Sequence, residues 1–208
     1  MNARNTARWV ASIALLTALV ASCSRNDPVK PAGRAAPEPA AATASGKRET
    51  AVVAGGCFWG MEEILRGIPG VIETEVGYTG GTTASPEYDA VKTGRTGHAE
   101  AVRIVFDPAK LSYETLLEQW FFRMHDPTTP DRQGNDVGTQ YRSAIFVTSP
   151  EQRAIATRIK ERVAKSGKWS APVVTQIVPA GAFTPAEEYH QDYLQKNQGG
   201  YTCHYMRD

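Results

Sequence analysis

Cys57 lies in the turn Gly55-Gly56-Cys57-Phe58-Trp59-Gly60, between an apolar run and an amphipathic one. The apolar residues 51–54 predict a β-strand, and residues 61–66 predict a helix. A cysteine at such a turn faces the free N–H groups and the positive dipole end of the helix, which both favour the reactive thiolate. The glycines allow a tight bend, and Phe58 and Trp59 place aromatic rings beside the sulfur. The turn therefore predicts an activated sulfur nucleophile next to a small apolar pocket.

Apart from Cys23 near the start of the chain, the other cysteine is Cys203, in the glycine-containing tail 199–203. In an exported protein two cysteines are most simply explained by a structural disulfide. A cysteine on a mobile tail also fits a resolving thiol, which attacks an oxidised partner and is then reached by a reductant. The two cysteines alone leave both interpretations open. The reactive turn around Cys57 favours the redox pair.

Glu100 is the second residue of the apolar run 99–106, which predicts a strand. On a strand it would share a face with Val102 and Ile104. A carboxyl group on an apolar face is shifted toward its neutral, proton-donating form. The pattern alone favours the alternative, a water-exposed glutamate at the start of a strand.

The polar block 132–143 leads directly into another predicted strand, and such loops commonly build binding sites. A solvated connector accounts for about half of its residues. Tyr88 is interpreted as a surface or half-buried tyrosine, His98 as a surface or loop-bracing histidine, and the segment 187–193 as one polar helix face. No metal-ligand spacing, phosphate-binding glycine loop or serine nucleophile motif occurs.

Strand-like and helix-like patterns alternate from about residue 48 onward, which predicts a mixed α/β layer fold. Strands are predicted at 49–54, 71–78, 99–106, 141–147 and 173–178. Helices are predicted at 58–66, from Ser112 to Met124, from Ser149 to Gly167, and from Thr184 onward.

The first 47 residues differ in composition from the rest. Basic residues followed by a short apolar run predict a signal peptide over 1–22, and small residues before Cys23 fit lipidation of that cysteine. An ordinary signal peptide or an uncleaved anchor are the alternatives. The Pro/Ala-rich remainder of 23–47 predicts a tether, so we expect the folded domain to span 48–208. We expect a lipoprotein of the outer membrane that faces the periplasm. A net charge of +1 gives no case for nucleic-acid binding.

Several motifs in order resemble those of the peptide methionine sulfoxide reductase A family, from about Thr50 to Cys203. They are the Cys57 turn, Gly77-Tyr78-Thr79-Gly80-Gly81, Tyr88 with Gly94-Arg95-Thr96-Gly97-His98-Ala99-Glu100, His125-Asp126-Pro127-Thr128, the block 132–143, and Ala186-Glu187-Glu188-Tyr189-His190-Gln191. The resemblance implies an α+β fold, a mixed-sheet sandwich with a ferredoxin-like βαβ core.

The resemblance also implies a role for each matching residue. Cys57 would attack the sulfur of methionine-S-sulfoxide, protonated Glu100 would act as general acid, and Cys203 would resolve the Cys57 sulfenic acid as a disulfide. Substrate binding is implied for Phe58 and Trp59 around the methyl group, Tyr88 and Tyr141 at the oxygen, and Asp136 within the site.

The resemblance implies no organic cofactor, only an external dithiol reductant, and the scattered histidines and cysteines give no indication of a metal site. Outside the cytosol this donor would be a thioredoxin-like periplasmic protein. Expected substrates are free methionine sulfoxide and oxidised envelope proteins or peptides. The protein is expected to be a monomer that touches the membrane through its lipid anchor alone. Many relatives carry two resolving cysteines, whereas this chain has Cys203 alone, so a single resolving step is implied.

Two other classes of function compete with this one. A cysteine hydrolase or acyltransferase would need a histidine near Cys57, and no motif places one of the four histidines there. Alternatively, the chain is a lipid-anchored binding domain that a Cys57–Cys203 disulfide stabilises. Cys57 would then not react with alkylating agents until the protein is denatured or strongly reduced.

Overall fold

The computed structural model describes residues 46–208. The predicted signal peptide 1–22, Cys23 and almost all of the tether 23–47 lie outside the described residues. Within 46–208, no helix has both the length and the apolar character needed to cross a bilayer.

A split βαβ unit forms the centre of the fold. Strand β1 (Glu49–Gly55) leads into helix α1 (Phe58–Arg66), and β2 (Val71–Thr79) follows. Strand β3 (Ala99–Phe106) lies between β1 and β2 and is antiparallel to both, so β1 and β2 run parallel to each other. This arrangement confirms the predicted ferredoxin-like core. It also places the β1–α1 turn beside the start of β3.

Three further strands extend the sheet to the order β7-β6-β1-β3-β2-β8. Strand β6 (Ser143–Val147) is antiparallel to β1, and helix α5 (Pro150–Lys165) connects it to the parallel strand β7 (Gln176–Pro179). Strand β8 (Phe183–Pro185) is antiparallel to β2. One parallel pair among antiparallel pairs makes the sheet mixed, as predicted.

Shorter elements complete the chain. They are α2 (Tyr88–Val91), the hairpin strands β4 (Arg132–Gln133) and β5 (Asp136–Val137), a 3₁₀ turn (Thr139–Tyr141) and α6 (Tyr193–Lys196). The predicted strands 141–147 and 173–178 therefore begin two or three residues later than expected. Tyr141 lies in the turn before β6 rather than in the strand.

The helix predicted to start at Thr184 is wrong. The segment Phe183–Pro185 pairs with β2 at the edge of the sheet, where a proline, which has no N–H to donate, is tolerated. The helix of this region is α6, which begins eight residues after Pro185. Ser/Thr-Pro-x-Glu patterns start helices often, but here pairing with β2 prevails over the local signal.

The predicted helix from Ser112 to Met124 is present, with an irregular centre. Ser112 Oγ accepts a hydrogen bond of 3.0 Å from the Thr115 N–H, as a helix cap does. The helix comprises α3 (Tyr113–Thr115), a π-helical segment (Leu116–Phe121) and α4 (Phe122–Met124). Such wide turns are uncommon and local.

Apolar side chains cover both faces of the sheet. One face packs against α1, the irregular helix and α5 through a core that includes Val53, Met61, Ile104 and Leu116. The opposite face carries small residues and Phe146, with Phe183 packed against them. Because strand residues alternate between faces, Glu100 shares the first face with Val102 and Ile104, as predicted.

Candidate active site

Cys57 ends the β1–α1 turn and directly precedes the first helical residue. Gly56 has φ +117°, a conformation that favours glycine, and a β-carbon there would lie 2.6 Å from Gln133 Cγ. The turn thus rests on the β4–β5 hairpin. Cys57 is only 7% exposed, so its side chain is buried.

The expectation of a Cys57 thiolate at rest is wrong. Burial, and next the negative charge of Glu100, raise the pKa of Cys57 well above that of a free thiol. The helix N–H of Trp59 lowers this pKa, as the helix-dipole argument requires, but by less than burial raises it. The resting group is therefore a neutral thiol, which must lose its proton before it can act as a nucleophile.

Glu100 is 2% exposed, so the water-exposed alternative does not hold. Its carboxylate accepts a hydrogen bond of 3.1 Å from the N–H of Phe58, the residue after Cys57. Burial raises the pKa of Glu100 to about 8, against the opposing effect of that N–H. At neutral pH the site holds a protonated carboxylic acid beside the sulfur, which can donate a proton.

Tyr88 and Tyr141 are both half-buried near this pair. Burial, followed by the charge of Glu100, raises the pKa of each phenol, so both remain neutral hydrogen-bond donors. Cys57 also contributes to both shifts. The structure thus gathers the predicted nucleophile, acid and two tyrosines from four separate segments.

Phe58 and Trp59 occupy different environments. Phe58 is buried against Tyr78 and His190, with ring centroids 5.9 and 5.2 Å away. Trp59 is half-buried and stacks on Tyr193 at 3.7 Å with an angle of 10° between the rings. Its Nε1–H donates to His190 Nδ1 at 3.0 Å. Phe58 and Trp59, which directly follow Cys57, thus belong to one aromatic cluster with Tyr78, His190 and Tyr193.

The C-terminal tail lies over the start of α1. His204 Nε2 is 2.9 Å from the carbonyl oxygen of Gly55. A β-carbon at Gly60 would overlap Thr202 Oγ1 and lie 2.8 Å from His204 Nδ1, so the tail needs a glycine there. Cys203 packs on Gly134: the Cys203 Cβ lies 3.2 Å from the position that a β-carbon on Gly134 would occupy. Both Cys57 and Cys203 are free thiols.

Asp136 lies beside the tail. Its Oδ2 accepts a hydrogen bond of 3.1 Å from the Tyr201 hydroxyl. Burial and, to a smaller extent, Asp136 raise the pKa of Cys203 to about 12. Asp136 also contributes to the raised pKa of Cys57. The predicted site residue Asp136 is therefore close enough to influence both thiols. Among residues 46–208, no group of three or more His, Cys, Asp or Glu could hold a metal ion.

The model of the family "Peptide methionine sulfoxide reductase" matches residues 49–208. The chain belongs to the peptide methionine sulfoxide reductase family. It is 57% identical over 152 residues to peptide methionine sulfoxide reductase MsrA of Methanoculleus marisnigri, covering 73% of this chain and 92% of that one. The protein is thus an enzyme that reduces methionine sulfoxide by thiol chemistry, and the hydrolase and binding-domain hypotheses are not supported.

Solved structures agree with this membership of the peptide methionine sulfoxide reductase family. Mxr1 from Saccharomyces cerevisiae in reduced form has a TM-score of 0.73 and 38% identity, over 78% of this chain and 93% of that one. Methionine sulfoxide reductase A of Corynebacterium diphtheriae has a TM-score of 0.70 and 41% identity, over 74% and 77%. Mxr1 in complex with Trx2 matches with a TM-score of 0.53 and 26% identity, over 78% and 91%.

In this reductase, the segment 187–193 is not the polar helix face that the pattern suggested. Glu187 accepts hydrogen bonds of 2.8 Å from the Tyr88 N–H and the Tyr78 hydroxyl. His190 is buried and receives the Trp59 indole. These residues orient Tyr78, Tyr88 and Trp59, and their inclusion in a family motif was the available signal. His98 braces the loop at Gly81 and Thr83, as predicted, although it is buried.

Three histidines lie near the Cys57 turn of the reductase: His125 and His204 adjoin Gly55, and His190 adjoins Phe58. His204 is adjacent to Gly55 and Gly60 but faces Cys203, at 3.5 Å from Nδ1 to Sγ. Nothing in the motifs placed it there, because the contact joins the two ends of the domain.

Gly60→Ala should displace the reductase tail. The added methyl group cannot coexist with Thr202 and His204 in their present positions, so Cys203 should leave the site. We expect faster alkylation of Cys57 and Cys57–Cys203 closure slower by on the order of 10²-fold. Helix α1 itself should gain about 1 kcal/mol from the substitution. Quenched thiol alkylation read by mass spectrometry measures both rates.

Gly67→Ala, just after α1, is the matched control, because the nearest atom to a β-carbon there is 3.6 Å away. It should leave both rates unchanged. An unaltered closure rate in Gly60→Ala would show that the tail position is not needed for disulfide formation.

Proposed function

We propose that the enzyme reduces the S epimer of methionine sulfoxide, with Cys57 as nucleophile and Glu100 as general acid. One observation carries this assignment: a protonated carboxyl group hydrogen-bonded to the residue that follows Cys57. Sulfoxide oxygen leaves poorly until it is protonated, so the acid must stand beside the sulfur nucleophile. The hydrogen bond from the Phe58 N–H to Glu100 holds the carboxyl group next to Cys57.

The remaining residues hold the substrate. Phe58 and Trp59 form an apolar slot for the methyl group, while Tyr88 and Tyr141 donate hydrogen bonds to the sulfoxide oxygen. Asp136 lies at the same site. A methyl slot on one side and oxygen donors on the other fix the configuration at sulfur, so one epimer is selected.

The chemical steps balance without a bound cofactor. Cys57 sulfur attacks the substrate sulfur, the sulfoxide oxygen is transferred to Cys57, and methionine leaves. Methionine sulfoxide gains two electrons and Cys57 becomes a sulfenic acid. Cys203 then forms a disulfide with Cys57 and water is released. An external dithiol reduces the disulfide, and the complex of the related Mxr1 with Trx2 supports a thioredoxin-like donor.

We propose that the enzyme acts in the cell envelope as a monomer. The sequence of residues 1–23 supports a lipoprotein signal with Cys23 as the lipidated residue. Expected substrates are free methionine sulfoxide and oxidised envelope proteins, and the expected donor is periplasmic. Incorporation of labelled palmitate that is lost in Cys23→Ala would support the anchor. Unlabelled wild-type protein in the soluble fraction would contradict it.

The proposed chemistry is tested with a pair of peptides that contain methionine-S-sulfoxide or methionine-R-sulfoxide. With dithiothreitol as donor, we expect turnover of the S peptide and none of the R peptide. Chromatography of the product peptide measures both rates. Equal rates for both peptides would contradict the epimer assignment, and no turnover by the folded, reduced enzyme would contradict the whole proposal.

Replacing Cys203 by serine should separate the two halves of the cycle. The variant should form one methionine per enzyme in the absence of reductant, as wild type does, because Cys57 is unaltered. It should then stop at the sulfenic acid, and turnover with a thioredoxin-like donor should fail. Mass spectrometry after trapping with a 1,3-dione detects the sulfenic acid. Normal turnover with the thioredoxin-like donor would exclude Cys203 as the resolving thiol.

A further inference from the structure

His204 is held by three contacts at the end of the tail. Its ring is buried, with Nε2 2.9 Å from the Gly55 carbonyl oxygen. Its own N–H donates to Thr202 Oγ1 at 3.1 Å. Because Gly60 has no side chain, the His204 ring can pack directly against it. A side chain fixed in this way has one orientation relative to its neighbours.

These contacts also determine which ring nitrogen carries the proton. A carbonyl oxygen can only accept a hydrogen bond, so Nε2 must be the protonated nitrogen. In a neutral ring Nδ1 then has a free lone pair. That lone pair lies 3.5 Å from Cys203 Sγ, which can donate its S–H proton to it.

We propose that His204 is the catalytic base of the resolving step, in which Cys203 attacks the Cys57 sulfenic acid. The inference rests on the proposed function, because it requires the sulfenic acid to form first. As the S–S bond forms, the Cys203 S–H bond breaks and its proton passes to His204 Nδ1. The Cys57 S–O bond breaks, and the departing hydroxide takes that proton and leaves as water. One disulfide and one water form, and no external oxidant is needed.

The surroundings of Cys203 explain why a base is needed. Burial and the neighbouring Asp136 raise the pKa of Cys203 to about 12, so its thiolate is rare at neutral pH. Burial and the charge of Arg207 lower the pKa of His204 to about 4, which keeps Nδ1 unprotonated. A base this weak cannot deprotonate the free thiol in a separate step. It acts while the new S–S bond makes the sulfur acidic, and Asp136 stabilises the charge that forms on the ring.

The test uses the full chain in a single turnover with methionine-S-sulfoxide peptide and no reductant. His204→Gln can keep the hydrogen bond to Gly55 through its amide N–H but has no basic nitrogen. We expect methionine to form at the wild-type rate, the sulfenic acid to accumulate, and disulfide closure to slow by about 10²-fold. Tyr205→Phe, at an exposed neighbouring position, should match wild type in both steps.

The two proposals fail in different ways. No methionine from wild-type protein would overturn the proposed function. Normal methionine formation with wild-type closure in His204→Gln would overturn the role of His204 alone. If that variant does not fold, ¹⁵N NMR of the wild-type histidine decides the question. A proton on Nε2 with Nδ1 free supports the base, and a proton on Nδ1 overturns it.

Discussion

Cys57→Ser should reduce turnover of methionine-S-sulfoxide peptide to that of the reaction without enzyme. Serine has nearly the same shape as cysteine, but its hydroxyl is a far weaker nucleophile and cannot accept the sulfoxide oxygen as a stable sulfenic acid. The protonated Glu100 and the aromatic slot remain in the variant, so substrate binding should persist. Steady-state kinetics with dithiothreitol measures the loss, and peptide binding by calorimetry shows that the site is intact.

Cys203→Ser is the matched control for this experiment, because it changes the same atom in the other thiol. It should keep the first methionine-forming step that Cys57→Ser loses. Measurable epimer-selective turnover in Cys57→Ser would assign the nucleophile to another group. Loss of the first step in both variants would instead indicate that either sulfur is needed to shape the site.

Glu100→Gln should lower kcat by on the order of 10²–10⁴-fold while the protein becomes more stable at neutral pH. Glutamine can still accept the hydrogen bond from the Phe58 N–H, but it cannot supply a proton. In wild type the protonated form of Glu100 is active, so the rate should fall as pH rises through about 8. The variant should lack this alkaline limb. Rates measured from pH 6 to pH 10 test both statements.

The stability effect follows from the raised pKa of Glu100. The unfolded carboxyl loses its proton near pH 4.5, whereas the folded one keeps it until about pH 8. Between these values the folded state binds more protons, so its stability falls by about 1.4 kcal/mol per pH unit. The neutral glutamine avoids this loss, and at pH 7 we expect a gain of about 1–3 kcal/mol. Urea unfolding measures it, and Glu73→Gln at an exposed position is the control. A less stable variant at pH 7 would mean that Glu100 is ionised in the folded enzyme.

The sequence predicted the elements whose signals are local. Helix α1 and strand β3 have the bounds that periodicity and capping predicted. Alternation along β3 also predicted correctly that Glu100 shares a face with the apolar residues Val102 and Ile104. The misassigned start at Thr184 shows the limit, since a good capping pattern was overridden by pairing with β2. Alternation could not show that Glu100 is buried, because that depends on what covers the sheet.

The contacts that complete the site join distant parts of the chain, and no local pattern encodes them. Glu187 is hydrogen-bonded to Tyr88, His190 to Trp59, and His204 to Gly55. The error about the Cys57 thiolate has the same origin. The helix N-terminus lowers the pKa of Cys57 as expected, but burial raises that pKa by more.

Cys57 and Cys203 lie near opposite ends of the sequence of the folded domain, so their disulfide would close most of that domain into a ring. A cross-link over so long a loop restricts the unfolded chain strongly, by about 4–5 kcal/mol in the chain-entropy treatment. Each catalytic cycle would therefore alternate between an effectively cyclised protein and an open one. The enzyme waiting for its reductant would be the form that best resists unfolding and proteolysis, and the form ready to act would be the more fragile one.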